Sequence, residues 1–108
     1  MTSRQVVLSK DAEDDLDKIE AYIVEQSGEL RAADVRSRLE KTMSNLAFMP
    51  GIGRERPYLD VGARAFPAPP WTIVYDPLPG GDGILVQRVL HGRRDLAAIF
   101  KKPQRRRR

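Results

Sequence analysis

Apolar and polar positions divide the chain into two halves with different periods. After a short β-branched run, Gln5-Val6-Val7-Leu8, the residues Ala12, Leu16, Ile19 and Ile23 recur at spacings of four, three and four. That is one stripe of an α-helix. Ser9 stands where it can cap this helix, and Asp11, Glu13 and Asp14 fill the first turns, where the helix dipole favours acids. Ala12 occupies the position that a full capping box gives to Glu or Gln. Ser27-Gly28 ends the first stripe. A second begins at once with Ala32, Val35, Leu39, Thr42/Met43 and Leu46, and stops before Pro50-Gly51. Two stripes with so short a joint predict an antiparallel helical hairpin. Neither helix is stable alone, so both stripes must find a common surface.

In the second half the period falls to two. Arg64-Ala65-Phe66 is a strand broken by Pro67-Ala68-Pro69-Pro70. Trp71 to Asp76 alternates, with Trp71, Ile73 and Tyr75 on one face, and residues 77–83 form a turn. Ile84 to His91 is apolar on both faces, as an internal strand is. Gly92 releases the chain, and Asp95 caps a last short helix through Leu96, Ala98, Ile99 and Phe100. The predicted order is β-α-α-β-β-β-α. Short turns pair consecutive strands antiparallel, so the expected fold is α+β: a small antiparallel β-sheet packed against an N-terminal helical hairpin, its other face partly open. Residues 1–100 make one domain, and 101–108 a basic tail expected to be disordered.

Composition changes this picture in three places. The chain has 108 residues, no cysteine and one histidine. Disulfides, thiolate zinc sites and histidine-rich metal sites are excluded. No apolar run is long enough for a membrane span or a signal-peptide core, and the lack of cysteine makes the cytoplasm the default compartment. The net charge of +4 comes from the tail "KKPQRRRR", which has six cations and no acid. Residues 1–100 hold 13 basic and 15 acidic residues, so the charge is weak evidence for nucleic-acid binding.

Candidate chemistry concentrates in "RVLHGRRDL" (88–96), which surrounds the single histidine, His91, with Arg88, Arg93, Arg94 and Asp95. His91 either closes the strand end by bonding a backbone group or contacts a partner. Asp95 caps the last helix and Arg94 pairs with an acid, which leaves Arg93 the more exposed cation. Tyr22, Ile23 and Val24 cannot all share one stripe, so one of them faces outward. Trp71 and Phe66 flank the proline loop and suit the core, with partner contact as the other reading.

Four stretches, "LSKDAEDDLDKIEAYI" (8–23), "LAFMPGIGRERPYL" (46–59), "GARAFPAPPWTIVY" (62–75) and "RVLHGRRDL", together resemble the ParE toxins of type II toxin–antitoxin pairs, within the RelE/ParE superfamily. The landmarks are Leu16, Ile19, Tyr22, Pro50, Gly53-Arg54, Arg64, Tyr75, Arg88-Val89, His91 and Arg94-Asp95. Departures are Lys10, where the family often has proline, the long 77–83 turn and the arginine tail. The resemblance implies a bacterial cytoplasmic toxin that inhibits DNA gyrase by binding, without cofactor. It implies neutralisation by a ParD-type antitoxin that wraps it, and contact with operator DNA only through that antitoxin. A homodimer is an allowed state of the free chain. On this basis Tyr22, Arg64, Phe66, Trp71 and Arg88 are the candidate antitoxin contacts. His91, Arg93, Arg94, Phe100, Lys101 and Lys102 are the candidate gyrase contacts.

Two other readings compete. A RelE-type ribosome-dependent endoribonuclease needs a base for the 2′-hydroxyl, an acid for the 5′-oxygen and a cation for the phosphate. None of the five lysines lies on a predicted strand, and guanidinium does not release its proton near neutral pH. Only His91 and Tyr75 remain to move protons. The third reading is a non-toxic relative that only binds a partner.

Overall fold

A computed structural model describes residues 4–57 and 59–92. Its elements are β1 (Gln5–Leu8), α1 (Lys10–Ser27), α2 (Glu29–Phe48), a 3-10 turn at Pro50–Ile52, β2 (Arg64–Ala68), β3 (Trp71–Pro77), a second 3-10 turn at Pro79–Gly81, and β4 (Gly83–His91). The helix expected after Gly92 and the basic tail lie outside the described residues.

Both helical stripes serve as read. Ala12, Leu16 and Ile23 of α1 are buried, with Ile19 packed beside them, and α2 buries Ala32, Val35, Leu39, Met43 and Leu46. They meet Ile73, Tyr75, Ile84, Val86 and Val89 of the sheet in one cluster. Each large side chain taken from water here contributes about 1.5–3 kcal/mol. Met43 takes the core position that the sequence left between it and Thr42. Thr42 turns its hydroxyl to the Arg38 carbonyl, 3.0 Å away. One residue joins the helices: Gly28, at φ +91°, donates to the Val24 carbonyl and accepts from Ala32. Only glycine adopts that backbone without strain. Arg36 ties the hairpin across its outside, 3.1 Å from both Glu20 and Glu40.

The sheet runs β1-β4-β3-β2 and is mixed. β2, β3 and β4 pair antiparallel, as short turns require. β1 instead runs parallel to β4, Gln5 opposite Gly83 through Leu8 opposite Val86. The hairpin rule governs only strands joined by short turns. β1 reaches its neighbour through both helices and two strands, and such a connection permits parallel pairing.

One smaller expectation is corrected and another refined. β2 continues through Pro67 to Ala68, because an edge strand tolerates a proline whose missing N–H faces away from the ladder. The sheet's second face, expected to be partly open, also buries side chains: Val74 and Leu90, the chain neighbours of the paired core residues Ile73 and Val89, are 5% and 1% exposed. The register slips between Val74 and Tyr75, where Gln87 of β4 is the extra residue of a β-bulge.

Candidate functional site

Three places gather the residues singled out in the sequence. The first is a lock around Tyr75. Its ring is fully buried, its hydroxyl accepts from the Gly53 N–H at 2.9 Å, and it donates to the Pro50 carbonyl at 2.7 Å. A side chain at position 53 would run into the phenol, so glycine is required there. Arg64 holds the same turn from the other side, donating to the Gly53 carbonyl at 2.7 Å and the Gly51 carbonyl at 3.3 Å. Arg54 then bridges Ala65 by two backbone hydrogen bonds. Burial raises the Tyr75 pKa, against smaller lowering effects of the Gly53 hydrogen bond and the Arg64 charge. The phenol is therefore a weaker acid than usual, with its proton committed to Pro50.

The second is a clamp where β1 ends. On the β1 side, beyond Val86, no strand among the described residues lies beside β4, and α1 supplies the partners. Ser9 caps α1 by accepting from Ala12 and donates to the Gln87 carbonyl at 2.8 Å. Asp15 accepts from the Val89 N–H at 2.9 Å and from Arg88 twice, at 2.8 and 3.1 Å. One carboxylate thus takes three charge-assisted bonds.

The third is a groove of about 340 Å³ between the hairpin and the β2–β3 turn. Tyr22, Ile23 and Gln26 of α1 form one wall; Arg31, Val35, Arg38 and Thr42 of α2 form its floor; Ala68, Pro70, Trp71 and His91 close it. Two of the Tyr22-Ile23-Val24 trio face outward rather than one: Tyr22 is 62% exposed and Val24 38%, with Ile23 alone buried. Trp71 and His91 meet edge-to-face, centroids 6.4 Å apart. The lining is mainly apolar, its formal charges Arg31 and Arg38. A second groove of about 430 Å³ follows along α2, lined by Thr42, Asn45, Leu46, Phe48, Met49, Ile52 and Phe66. Arg4 lies over the Phe48 ring at 5.6 Å.

A family model for the ParE toxin of the type II toxin–antitoxin system parDE matches residues 6–96. The chain belongs to the ParE toxin family. Among curated proteins it is similar to Toxin ParE3 of Caulobacter vibrioides, 31% identical over 98 residues that span 91% of this chain and 96% of that one. Among solved structures it is similar to the chromosomal ParDE system from P. aeruginosa. That likeness has a TM-score of 0.68 at 21% identity and covers 85% of this chain and 97% of the other.

With the ParE family established, the sequence candidates separate. Tyr22 and Trp71, expected to bind antitoxin, come together in the first groove, joined by His91, which was expected to face gyrase. Phe66 lines the second groove. Arg64 and Arg88 belong to the lock and the clamp. Their sequence signal, an arginine on a strand, does not distinguish a docking cation from one that bonds carbonyls or an acid within the fold. Arg93, Arg94, Phe100, Lys101 and Lys102 lie outside the described residues. Sequence reading missed Arg31, Arg38, Phe48, Met49 and Ile52. The signal available was an offset stripe, 31-35-38-42-45-49, beside the core stripe of α2, and the apolar run "LAFMPGI" that follows it. Among the described residues no group of three metal-ligating side chains converges, and no helix is long and apolar enough to cross a membrane.

Proposed function

We propose that this ParE-family toxin acts in the cytoplasm by binding rather than by catalysis, with DNA gyrase as its target and a ParD-type antitoxin as its neutralising partner. The observation that carries the reading is the apolar groove built by Tyr22, Trp71 and α2: a concave surface with aromatic anchors, the form that protein recognition takes. The state of Tyr75 argues in the same direction. Of the two residues able to move protons, it is the one with its hydroxyl held between Gly53 and Pro50 and its ring out of solvent's reach. A general base must reach the proton it abstracts. The family's parDE designation supports a ParD-type partner.

The test is a supercoiling assay with purified gyrase and the full chain. Supercoiling should fall with added toxin and recover when the antitoxin encoded beside it is supplied. Undiminished gyrase turnover, with messages cut in a translation extract, would refute the reading.

A further inference from the structure

Neither groove explains the charge of the basic tail. Residues 101–108 hold Lys101, Lys102 and Arg105 to Arg108, and no acid. They lie beyond the stretch that the ParE family model matches, which ends at residue 96. Elsewhere the cations face acids. Lys10 stands 3.3 Å from Asp14, Arg36 3.1 Å from both Glu20 and Glu40, and Arg88 2.8 Å from Asp15. Arg31 and Arg38 share Asp34, and Arg64 bonds the Gly53 carbonyl with Glu55 3.8 Å away. A phosphate brought to any of these meets a carboxylate beside the cation, and charges so paired present little net field. Residues 1–100, with 13 basic and 15 acidic residues, therefore do not attract a polyanion as a whole. The tail is the reverse: six positive charges in eight residues, with no acid among them.

We propose that residues 101–108 bind duplex DNA through its phosphates, without regard to base sequence, and so hold the toxin on the DNA where its target works. The DNA contact stands apart from the docking reading above; its use in poisoning gyrase rests on that reading. Chemistry selects among the polyanions. Single strands are gripped by stacking their bases on aromatic rings, and residues 101–108 have none. A basic cluster holds a membrane when a span, a lipid or an apolar face anchors it as well. Residues 101–108 offer no apolar side chain beyond Pro103, and no helix among the described residues can cross a bilayer. Charge alone remains, and it is densest on duplex DNA, with one phosphate per about 1.7 Å of axis. Eight residues reach at most about 27 Å. Over that length one strand presents roughly eight phosphates, enough for all six cations.

The chain also leaves the described fold beside a surface of its own sign. β4 ends at His91, which lines the first groove together with Arg31 and Arg38. Those two cations share one acid, so like charges disfavour a return of the tail onto that groove.

The experiment follows the fluorescence anisotropy of a labelled duplex of about 30 base pairs with the full chain, between about 50 and 200 mM salt. Six neutralised phosphates give log affinity against log salt a slope near about −5, so affinity should fall about a thousandfold over this range. Two duplexes of unrelated sequence should bind alike. The variant Arg105→Gln/Arg106→Gln/Arg107→Gln/Arg108→Gln keeps two tail cations, and its slope should be about −2. It should retain the wild-type circular dichroism and antitoxin affinity, because both grooves are intact, while about tenfold more of it is needed to inhibit gyrase at low salt. An unchanged slope in the variant, or no duplex binding by the full chain at low salt, overturns the proposal, since the tail's charge would then be engaged elsewhere, the acids of α1 included. Stronger binding at equal salt to a single-stranded RNA of equal charge, or to phosphatidylserine vesicles, overturns it in favour of another polyanion. Lost DNA binding with unaltered gyrase inhibition at low salt overturns the tethering role. A full chain that binds duplex with the expected slope yet leaves gyrase untouched removes the docking reading and keeps the DNA contact.

Discussion

Replacing Tyr75 by phenylalanine removes one oxygen and keeps the ring that fills the core. Gly53 is buried, so its N–H would lose its acceptor with no water to replace it, which costs about 1–3 kcal/mol. The Pro50 carbonyl is partly solvated and would lose its donor at about 0.5–1 kcal/mol. The sum, roughly 1.5–4 kcal/mol, is a large share of the 5–15 kcal/mol that holds a domain of this kind together. For a domain near 100 residues each kcal/mol lowers Tm by roughly 4–8 °C, so a fall of roughly 6–30 °C is expected. Urea unfolding followed by circular dichroism measures it, with an unchanged m-value showing that the native state stays as compact. Arg64→Ala loosens the same turn from its other side, so the double variant should be non-additive by at least about 0.5 kcal/mol. A loss below about 0.5 kcal/mol for Tyr75→Phe would mean that the Pro50–Gly53 turn is held elsewhere, and the lock would be an incidental contact.

Further predictions concern the clamp, the groove and pH. Asp15→Ala leaves the Val89 N–H without its acceptor and withdraws a carboxylate from Arg88, so stability should fall by roughly 2–3 kcal/mol in the same urea assay, against near-neutrality for the exposed Asp14→Ala. Ser9→Ala removes the α1 cap and should cost about 1 kcal/mol. Tyr22→Ala touches an exposed side chain, so Tm should barely move while antitoxin affinity drops; a large Tm change would place Tyr22 in the core instead. Because folding raises the Tyr75 pKa above the ordinary 10.0, the neutral phenol is favoured in the native state. Its contribution is fully present below pH about 10 and is lost as pH rises through the higher folded value. Alkaline unfolding should therefore steepen above pH 10 in the wild type and flatten in Tyr75→Phe.

The helical hairpin was legible because its stripes are regular: every large apolar residue read as facing the core is buried or packed against it. The three later strands were legible from β-branched runs between glycines and prolines. The direction of β1 was not, since four residues say nothing of which partner lies across a long connection. Nor was the lock. Pro50, Gly53, Arg54, Arg64 and Tyr75 were each noticed as landmarks, yet only the folded chain shows that they meet at one turn. The intramolecular partners of Arg64 and Arg88 were hidden for the same reason. Asp15 lies off the apolar stripe of α1 like any solvent-facing acid, and nothing local revealed that Arg88, 73 residues away, would claim it. Exposure was the hardest quantity to read: "LAFM" begins with two buried residues and ends with two exposed ones, without a change in hydropathy to mark the boundary.

The parallel ladder between β1 and β4 sets an order of events during synthesis. Gln5 leaves the ribosome early but pairs with Gly83, so the first strand has no neighbour until most of the chain has been made. A nascent fragment can wind its two helices, but the sheet that seats them does not yet exist. Closure of so long a loop is slow and comes late. A fragment that stops before β4 is then a helical hairpin without the sheet that seats it.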